Sequence, residues 1–180
     1  WENDYDAGGR KVLHIEPGLA FGTGSHPTTK LCLETLEKYI SNGSTVLDIG
    51  CGSGILSIAS LLLGAKAALG VDIDKLAVKT ALANAAENGF MPPVFNAIEG
   101  NLSDNVSGKY NIIVANIVAD IIMEFNKEVG EFLEDGGIYI TGGIIDSRKD
   151  EVIYSFEQNS FEIIANFEEK GWNVFVCKRR

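Results

Sequence analysis

The most constraining stretch of this 180-residue chain is an apolar run that ends in a glycine-rich turn, Val46-Leu47-Asp48-Ile49-Gly50-Cys51-Gly52-Ser53-Gly54. A second apolar run ends in Gly70-Val71-Asp72. This order predicts a buried strand, a tight turn into a helix, and a parallel strand that ends in a carboxylate. Glycines let backbone approach a ligand closely, and a helix start favours negatively charged groups. The pattern indicates a nucleotide-type site in which Asp72 accepts hydrogen bonds from ribose hydroxyls.

The spacing of the glycines distinguishes two kinds of nucleotide site. The dinucleotide fingerprint is G-x-G-x-x-G, whereas this chain has Gly50, Gly52 and Gly54, with Ile55 at the position of the third dinucleotide glycine. The pattern D-x-G-x-G-x-G before an acidic strand end resembles the cofactor loop of class I S-adenosylmethionine-dependent methyltransferases. A structural glycine turn in an ordinary α/β domain is the alternative interpretation of this motif alone.

Predicted strands and helices alternate along the chain. We predict strands at Lys11–Ile15, Thr45–Ile49, Ala67–Val71, Val94–Glu99, Tyr110–Ala115, Gly137–Thr141, Phe161–Glu168 and Trp172–Lys178, and helices at Pro27–Tyr39, Ile55–Leu63, Lys75–Asn88, Asp120–Leu133 and Ser147–Asn159. The alternation predicts an α/β, Rossmann-like, doubly wound and mostly parallel sheet. The last two strands are too close for a helical crossover, so they should form a hairpin with one antiparallel strand. A terminal hairpin of this kind also resembles class I methyltransferases.

Composition limits the classes of partner. With 46% hydrophobic and 22% charged residues, the chain is expected to fold as one globular domain, residues 1–180, without a membrane span. A net charge of −10 argues against direct nucleic-acid binding. Cys32, Cys51 and Cys177 include no C-x-x-C pair, which predicts a reducing, cytoplasmic location and no metal site. The first residue is Trp1, so we expect the chain to be part of a longer protein.

A long Gly- and Pro-rich segment precedes the first predicted helix. It reads Glu16-Pro17-Gly18-Leu19-Ala20-Phe21-Gly22-Thr23-Gly24-Ser25-His26-Pro27-Thr28-Thr29-Lys30. Pro27 suits the first position of a helix, which would place His26 or Ser25 at its amino cap. We interpret the segment as a ligand-binding loop rather than a plain connector, with Phe21 as an apolar face and Thr23 and Thr29 as hydroxyl donors.

A third motif, Asn116-Ile117-Val118-Ala119, follows the fourth parallel strand. Amino-group methyltransferases have their substrate loop at this position. The segment from Pro17 through Thr29 resembles the signature of the bacterial methyltransferases that modify the eleventh protein of the large ribosomal subunit. Those enzymes have Asn-Ile-Leu-Ala at the third motif, so this chain departs at one apolar position. The resemblance extends over nearly the whole chain.

The resemblance implies both a cofactor and an acceptor. The cofactor is S-adenosylmethionine, and the acceptor is a lysine side-chain or amino-terminal amine of ribosomal protein L11. The positions expected to contact the cofactor are Thr29, Gly50, Asp72 and Asn116, with Gly52, Gly54, Thr23 and Phe21 as further candidates. Asn116 is expected to touch the amine as well, as the catalytic residue. The residues themselves leave simpler roles open: Asn116 as a helix cap, and Thr29 as packed helix surface.

Members of this family also have an amino-terminal domain that recognises the ribosomal protein, and we expect that domain to be absent from residues 1–180. The acceptor is therefore the least constrained prediction, and another protein or a small molecule is an alternative. Alternatives from other classes are a dinucleotide-dependent oxidoreductase and a non-catalytic cofactor-binding module. The sequence leaves open the target residue, the number of methyl groups added and the oligomeric state.

Overall fold

A seven-stranded sheet runs through the described part of the chain, residues 8–16 and 24–180 of a computed structural model. Its strands are β1 Thr45–Ile49, β2 Ala67–Asp72, β3 Phe95–Glu99, β4 Tyr110–Asn116, β5 Leu133–Ile145, β6 Phe161–Glu169 and β7 Trp172–Arg179. The strand order is β3-β2-β1-β4-β5-β7-β6. Strands β1 to β5 pair in parallel, and β7 lies antiparallel between β5 and β6. The predicted Rossmann-like sheet with a terminal antiparallel hairpin is confirmed.

Helices cover both faces of the sheet. They are α1 Pro27–Tyr39, α2 Ile55–Leu62, α3 Lys75–Glu87, α4 Ala119–Phe125 and α5 Lys149–Gln158. Apolar side chains of α1, α2 and α3 pack on one face, and those of α4 and α5 pack on the other. The domain therefore has three layers, with a hydrophobic core on each side of the sheet.

The central strands are apolar along their length because both of their faces are buried. In β1, Val46 packs toward α1–α3 and Leu47 packs toward α4 and α5. In β4, Ile112 and Ile113 divide in the same way. This burial on two sides explains why the strands lack the alternating pattern of a half-exposed sheet, and it confirms their predicted central position.

The register of the strands brings several loops to one edge of the sheet. Ile49 of β1 lies opposite Val71 of β2 and Ala115 of β4, and Asn116 lies opposite Gly142 of β5. The turns that follow β1, β2 and β4 therefore leave the sheet side by side. This edge is where ligands bind in open α/β sheets.

The predicted strand at Lys11–Ile15 is wrong. Within the described residues this segment pairs with no strand; it is held instead by two side-chain amides of α3 and its carboxyl end. Asn88 accepts from the backbone N–H of His14 at 2.9 Å and donates to its carbonyl at 2.6 Å. Asn84 accepts from the backbone N–H of Glu16 at 3.1 Å. These amides take the place of a neighbouring strand.

The predicted helix at Asp120–Leu133 is too long. Helix α4 ends at Phe125, and a short 3₁₀ turn at Val129–Glu131 leads into β5. Buried Asn126 follows the helix, and its Nδ2 donates to Ser155 Oγ at 2.9 Å. Apolar residues continue at helical spacing past this point, but they enter the core from a turn and a strand.

The strand predicted at Gly137–Thr141 is longer in the structure, where β5 spans Leu133–Ile145. The strand continues through Gly142 and Gly143, where its pairing with β7 is irregular. All other predicted bounds agree with the structure to within two residues. In the described ranges, no helix has the length and apolar character needed to cross a membrane.

We predict that truncating one core aromatic destabilises the α4–α5 side of the sheet. Phe156 is fully buried, and its ring centroid lies 6.1 Å from that of Tyr139 and 5.7 Å from that of Phe175. Phe156→Ala should lower the free energy of unfolding by about 3–5 kcal/mol, measured by urea titration. Tyr154→Ala is the matched control, because Tyr154 lies on the same helix and is 63% exposed. Equal effects of the two substitutions would contradict the assigned core.

Candidate active site

A cavity of about 540 Å³ opens at the carboxyl edge of β1, β2 and β4. Its walls include the glycine turn after β1, the end of β2, the loop after β4, the start of α1 and the side chain of Trp172. These segments are far apart in sequence, and the parallel register brings them together. The cavity is large enough for a nucleoside-sized ligand.

The glycine turn that follows β1 forms one wall of the cavity. Gly50 and Gly52 have positive φ angles of 70° and 53° and line the cavity. A Cβ on Gly50 would clash with the side chain of Ile117, so a larger residue cannot replace it without movement. Gly54 also has a positive φ, of 80°, but it is the amino cap of α2 and packs on Ala81 rather than lining the cavity.

Asp72 ends β2 and points its carboxylate at the glycine turn. Its Oδ2 accepts from the backbone N–H of Gly52 at 2.9 Å, and its Oδ1 accepts from the backbone N–H of Asp74 at 2.9 Å. These two bonds fix the rotation of the carboxylate. Each oxygen keeps a further lone pair that can accept from a hydroxyl in the cavity.

Asn116 ends β4 and is held by two hydroxyls of α1. Its Oδ1 accepts from Thr28 Oγ1 at 2.8 Å, and its Nδ2 donates to Thr29 Oγ1 at 3.4 Å. All three side chains line the cavity. The helix that follows is capped by Val118, so Asn116 does not serve as its cap. Thr29 is 1% exposed and therefore is not part of the helix surface.

His26 lies at the amino end of α1, where its Nδ1 accepts from the backbone N–H of Thr28 at 3.3 Å. The expected capping role is therefore confirmed. The imidazole meets the ring of Trp172 edge to face, with centroids 4.6 Å apart. This contact joins the start of α1 to the start of β7 at the rim of the cavity.

Asp48 lies in β1 beneath the glycine turn and is 1% exposed. Its Oδ2 accepts from the backbone N–H of Ser57 at 3.1 Å and from Ser57 Oγ at 2.7 Å. Burial raises the pKa of Asp48 to about 7, although the bonds from Ser57 oppose the shift. Burial also raises the pKa of the nearby Cys51 thiol, which is therefore a poor nucleophile.

Two candidates, Phe21 and Thr23, lie outside the described residues. The structure adds others that the sequence interpretation missed. Ile73, which is 72% exposed, and Asn101 and Leu102, which follow β3, all line the cavity. The sequence offered one signal for Asn101 and Leu102, which is their position just after β3. Because β3 pairs in parallel with β2, the carboxyl ends of both strands lie at the same edge of the sheet.

The residues present fit S-adenosylmethionine. The glycine turn leaves room for a ligand against backbone, Asp72 offers lone pairs to a ribose, and Ile73 and Leu102 offer apolar surface for a heteroaromatic ring. Within the described part of the chain, no group of three or more His, Cys, Asp or Glu side chains could hold a metal ion.

Sequence comparisons agree on one family. The family model described as ribosomal protein L11 methyltransferase (PrmA) matches residues 1–180. Proteins named ribosomal protein L11 methyltransferase from Clostridium botulinum and Dictyoglomus thermophilum are each 44% identical over 178 residues, which is 99% of this chain. The chain spans about 56 to 58% of the length of these two relatives.

Solved structures show the same fold. A ribosomal protein L11 methylase from Lactobacillus delbrueckii subsp. bulgaricus superposes with a TM-score of 0.92 at 33% identity, covering 98% of this chain and 91% of that one. A SAM-dependent methyltransferase from Thiobacillus denitrificans in complex with S-adenosyl-L-homocysteine has a TM-score of 0.67 at 17% identity, covering 86% and 93%. The fold is therefore that of S-adenosylmethionine-dependent methyltransferases.

We predict that Asp48 makes folding stability depend on pH. Because its pKa is raised on folding, the folded state binds this proton more tightly, and the stability it contributes is lost as pH rises toward about 7. Asp48→Asn keeps an oxygen for Ser57 but cannot ionise. Urea unfolding between about pH 4 and pH 8 should therefore show a flatter profile for this variant.

The same substitution at exposed Asp135 controls for the loss of one carboxylate. Profiles of the same slope for wild type and Asp48→Asn would show that Asp48 ionises as easily in the folded protein as in the unfolded one.

Proposed function

Since the chain belongs to the ribosomal protein L11 methyltransferase family, we propose that it transfers methyl groups from S-adenosylmethionine to amine nitrogens of ribosomal protein L11. One observation carries the proposal: a single cavity is lined by the glycine turn, the Asp72 carboxylate and the Asn116 amide. The carboxylate would bind the ribose of the methyl donor, and the amide would orient the amine that accepts the methyl group.

In this proposal the glycine turn and the Asp72 carboxylate bind the cofactor. Bound S-adenosylmethionine would supply a methyl group already activated by the positive charge on its sulfur, which leaves as a neutral thioether. Asp72 would accept from the ribose hydroxyls, and the backbone of Gly50 and Gly52 would lie against the ligand. The protein then acts by positioning, without needing a general base.

The acceptor amine must be neutral to attack. In this proposal the Asn116 side-chain oxygen accepts an amine hydrogen and so orients the nitrogen lone pair. A lysine amine with a pKa of about 10.4 is mostly protonated at neutral pH, so the rate should rise with pH unless the site desolvates the amine.

The proposal extends to the whole protein. The chain spans about 56 to 58% of the length of the two named relatives, which leaves room in the whole protein for a further domain. We take residues 1–180 as the catalytic domain and assign recognition of L11 to an amino-terminal domain. We assign the activity to the cytoplasm, where ribosomal proteins are made. A net charge of −10 suits a basic protein acceptor better than nucleic acid or an anionic membrane.

A dinucleotide-dependent oxidoreductase is less well supported. Ile55 occupies the position of the third dinucleotide glycine, and its side chain lines the cavity. The antiparallel β7 also departs from a plain dinucleotide-binding sheet.

We predict that Asp72→Ala weakens binding of S-adenosylhomocysteine. Loss of charge-assisted hydrogen bonds worth about 1.5–3 kcal/mol should raise the Kd about ten- to a hundredfold in titration calorimetry. Asp74→Ser is the matched control, since it removes the adjacent carboxylate but keeps a side-chain oxygen for the amino cap of α3. An unchanged Kd for Asp72→Ala would remove Asp72 from the ribose site.

Methyl transfer itself is tested with purified ribosomal protein L11 and isotope-labelled S-adenosylmethionine, read by intact mass. We expect mass gains of whole methyl groups with the full-length gene product, weaker gains with the 180-residue chain, and a strong loss with Asn116→Ala. No transfer by either protein, despite tight S-adenosylhomocysteine binding, would refute L11 as the acceptor. Thermal protection by NADH but not by S-adenosylhomocysteine would refute methyl transfer.

A further inference from the structure

The amide of Asn116 is held from one side by a hydroxyl that the sequence interpretation did not single out. Thr28 Oγ1 donates to Asn116 Oδ1 at 2.8 Å, across 88 residues of sequence. The same oxygen accepts from the backbone N–H of Gly143 at 2.6 Å, across 115 residues. Thr28 is 2% exposed, so both bonds are sheltered from water. One side chain of α1 thus joins the ends of β4 and β5.

The hydrogen-bonding partners of Thr28 favour one orientation of the Asn116 amide. A threonine hydroxyl has one proton, and an accepted bond from Gly143 leaves that proton free to go to an acceptor. The thiol of Cys32 is a second possible acceptor for this proton, but burial raises its pKa, so it stays protonated and accepts only weakly. The Thr28 proton therefore goes to the better acceptor, Asn116 Oδ1, and the amide nitrogen is directed to Thr29.

The close approach of these groups depends on a glycine. A Cβ on Gly142 would lie 2.9 Å from Asn116 Oδ1 and 2.9 Å from Thr28 Oγ1, and still closer to Cys32 Sγ. Gly143 has a φ of 78°, and its backbone packs on that of Ile117, next to Asn116. The two adjacent glycines in β5 therefore leave the space in which the Thr28 hydroxyl and the Asn116 amide form their hydrogen bond.

We propose that Thr28 is a positioning residue for the reaction: its hydroxyl, oriented by the Gly143 N–H, fixes the side-chain amide of Asn116 with its oxygen on the Thr28 side. The inference rests on the proposed function, in which the remaining lone pair of that oxygen accepts a hydrogen bond from the amine that is to be methylated. Without Thr28 the amide can rotate, and a fraction of molecules would offer N–H groups where the amine needs an acceptor.

Three variants separate this role from plain packing. Thr28→Val removes the hydroxyl at nearly constant volume, and Thr28→Ser keeps it. Thr35→Val is the matched control, because Thr35 lies on the same helix, is 1% exposed, and its hydroxyl donates to the Leu31 carbonyl of its own helix. Thermal unfolding of each variant reports the cost of the change to the fold.

In the methyl-transfer assay, Thr28→Val should lower kcat about tenfold, with the Kd of S-adenosylhomocysteine changed by less than about threefold. Thr28→Ser should recover most of the loss. The Thr28→Val/Asn116→Ala double variant should match Asn116→Ala alone, because the hydroxyl acts through the amide. A further loss of kcat in the Asn116→Ala background would overturn the proposal, as would a large change in Kd at unchanged kcat.

A second readout needs neither cofactor nor acceptor. In the free ¹⁵N-labelled protein, the side-chain NH₂ signals of Asn116 are identified by their loss in Asn116→Ala. They should shift or broaden in Thr28→Val and stay in place in Thr35→Val. If they do not change in Thr28→Val, Thr28 does not hold the amide, whatever the enzyme methylates. If they change as expected but no acceptor is methylated, the proposed function fails and the positioning contact stands.

Discussion

The parallel pairing of β1 and β4 is the constraint on which the site depends. Both strands are buried on two sides, so a shift by one residue would exchange the side chains that pack in the two cores and disrupt the close packing of both. The register that avoids this brings Ile49 level with Ala115. Gly50 and Asn116 then start their loops from the same edge, although 66 residues separate them in sequence.

Close packing between loops turns that shared edge into a defined cavity. Ile117, in the loop after β4, fills the space that a side chain at Gly50 would need, and its backbone contacts Gly143 in β5. A side chain at Gly50 would displace the side chain of Ile117, and one at Gly143 would displace the backbone of Ile117, which adjoins Asn116. The loops after β1 and β4 therefore pack against each other and against β5, and this packing helps to determine the cavity walls.

Much of the architecture was predictable from sequence because it depends on burial. The strands around Leu47 and Ile113 are apolar throughout, and the glycine turn has a spacing that few folds use. Errors arose where side chains replaced backbone partners. Asn88 holds a segment that alternates like a strand, and buried Asn126 follows the end of a helix whose apolar spacing continues. A side-chain amide that bonds a distant backbone leaves no periodic signal.

The site followed the same rule. That Gly50, Asp72 and Asn116 line one cavity was predictable, because each belongs to a local motif at the end of a parallel strand. The place of Thr28 in the cavity was not predictable, since its bonds to β4 and β5 form only in the folded chain. Leu102 was missed because its loop has no motif of its own.

The position of α1 has a consequence for how the protein is made. Among the described residues this helix precedes all seven strands in the chain, yet its buried residues Leu31 and Leu36 belong to a core that includes Val174 and Val176 of β7. The apolar face of α1 is consequently not fully buried against the sheet until nearly the whole domain has been translated. Closing so long a loop is entropically costly and slow, so the docking of α1, and with it the final shape of the cavity, belongs to the late stages of folding. A nascent chain halted before β7 would carry an uncovered amphipathic helix, which is a recognition target for chaperones.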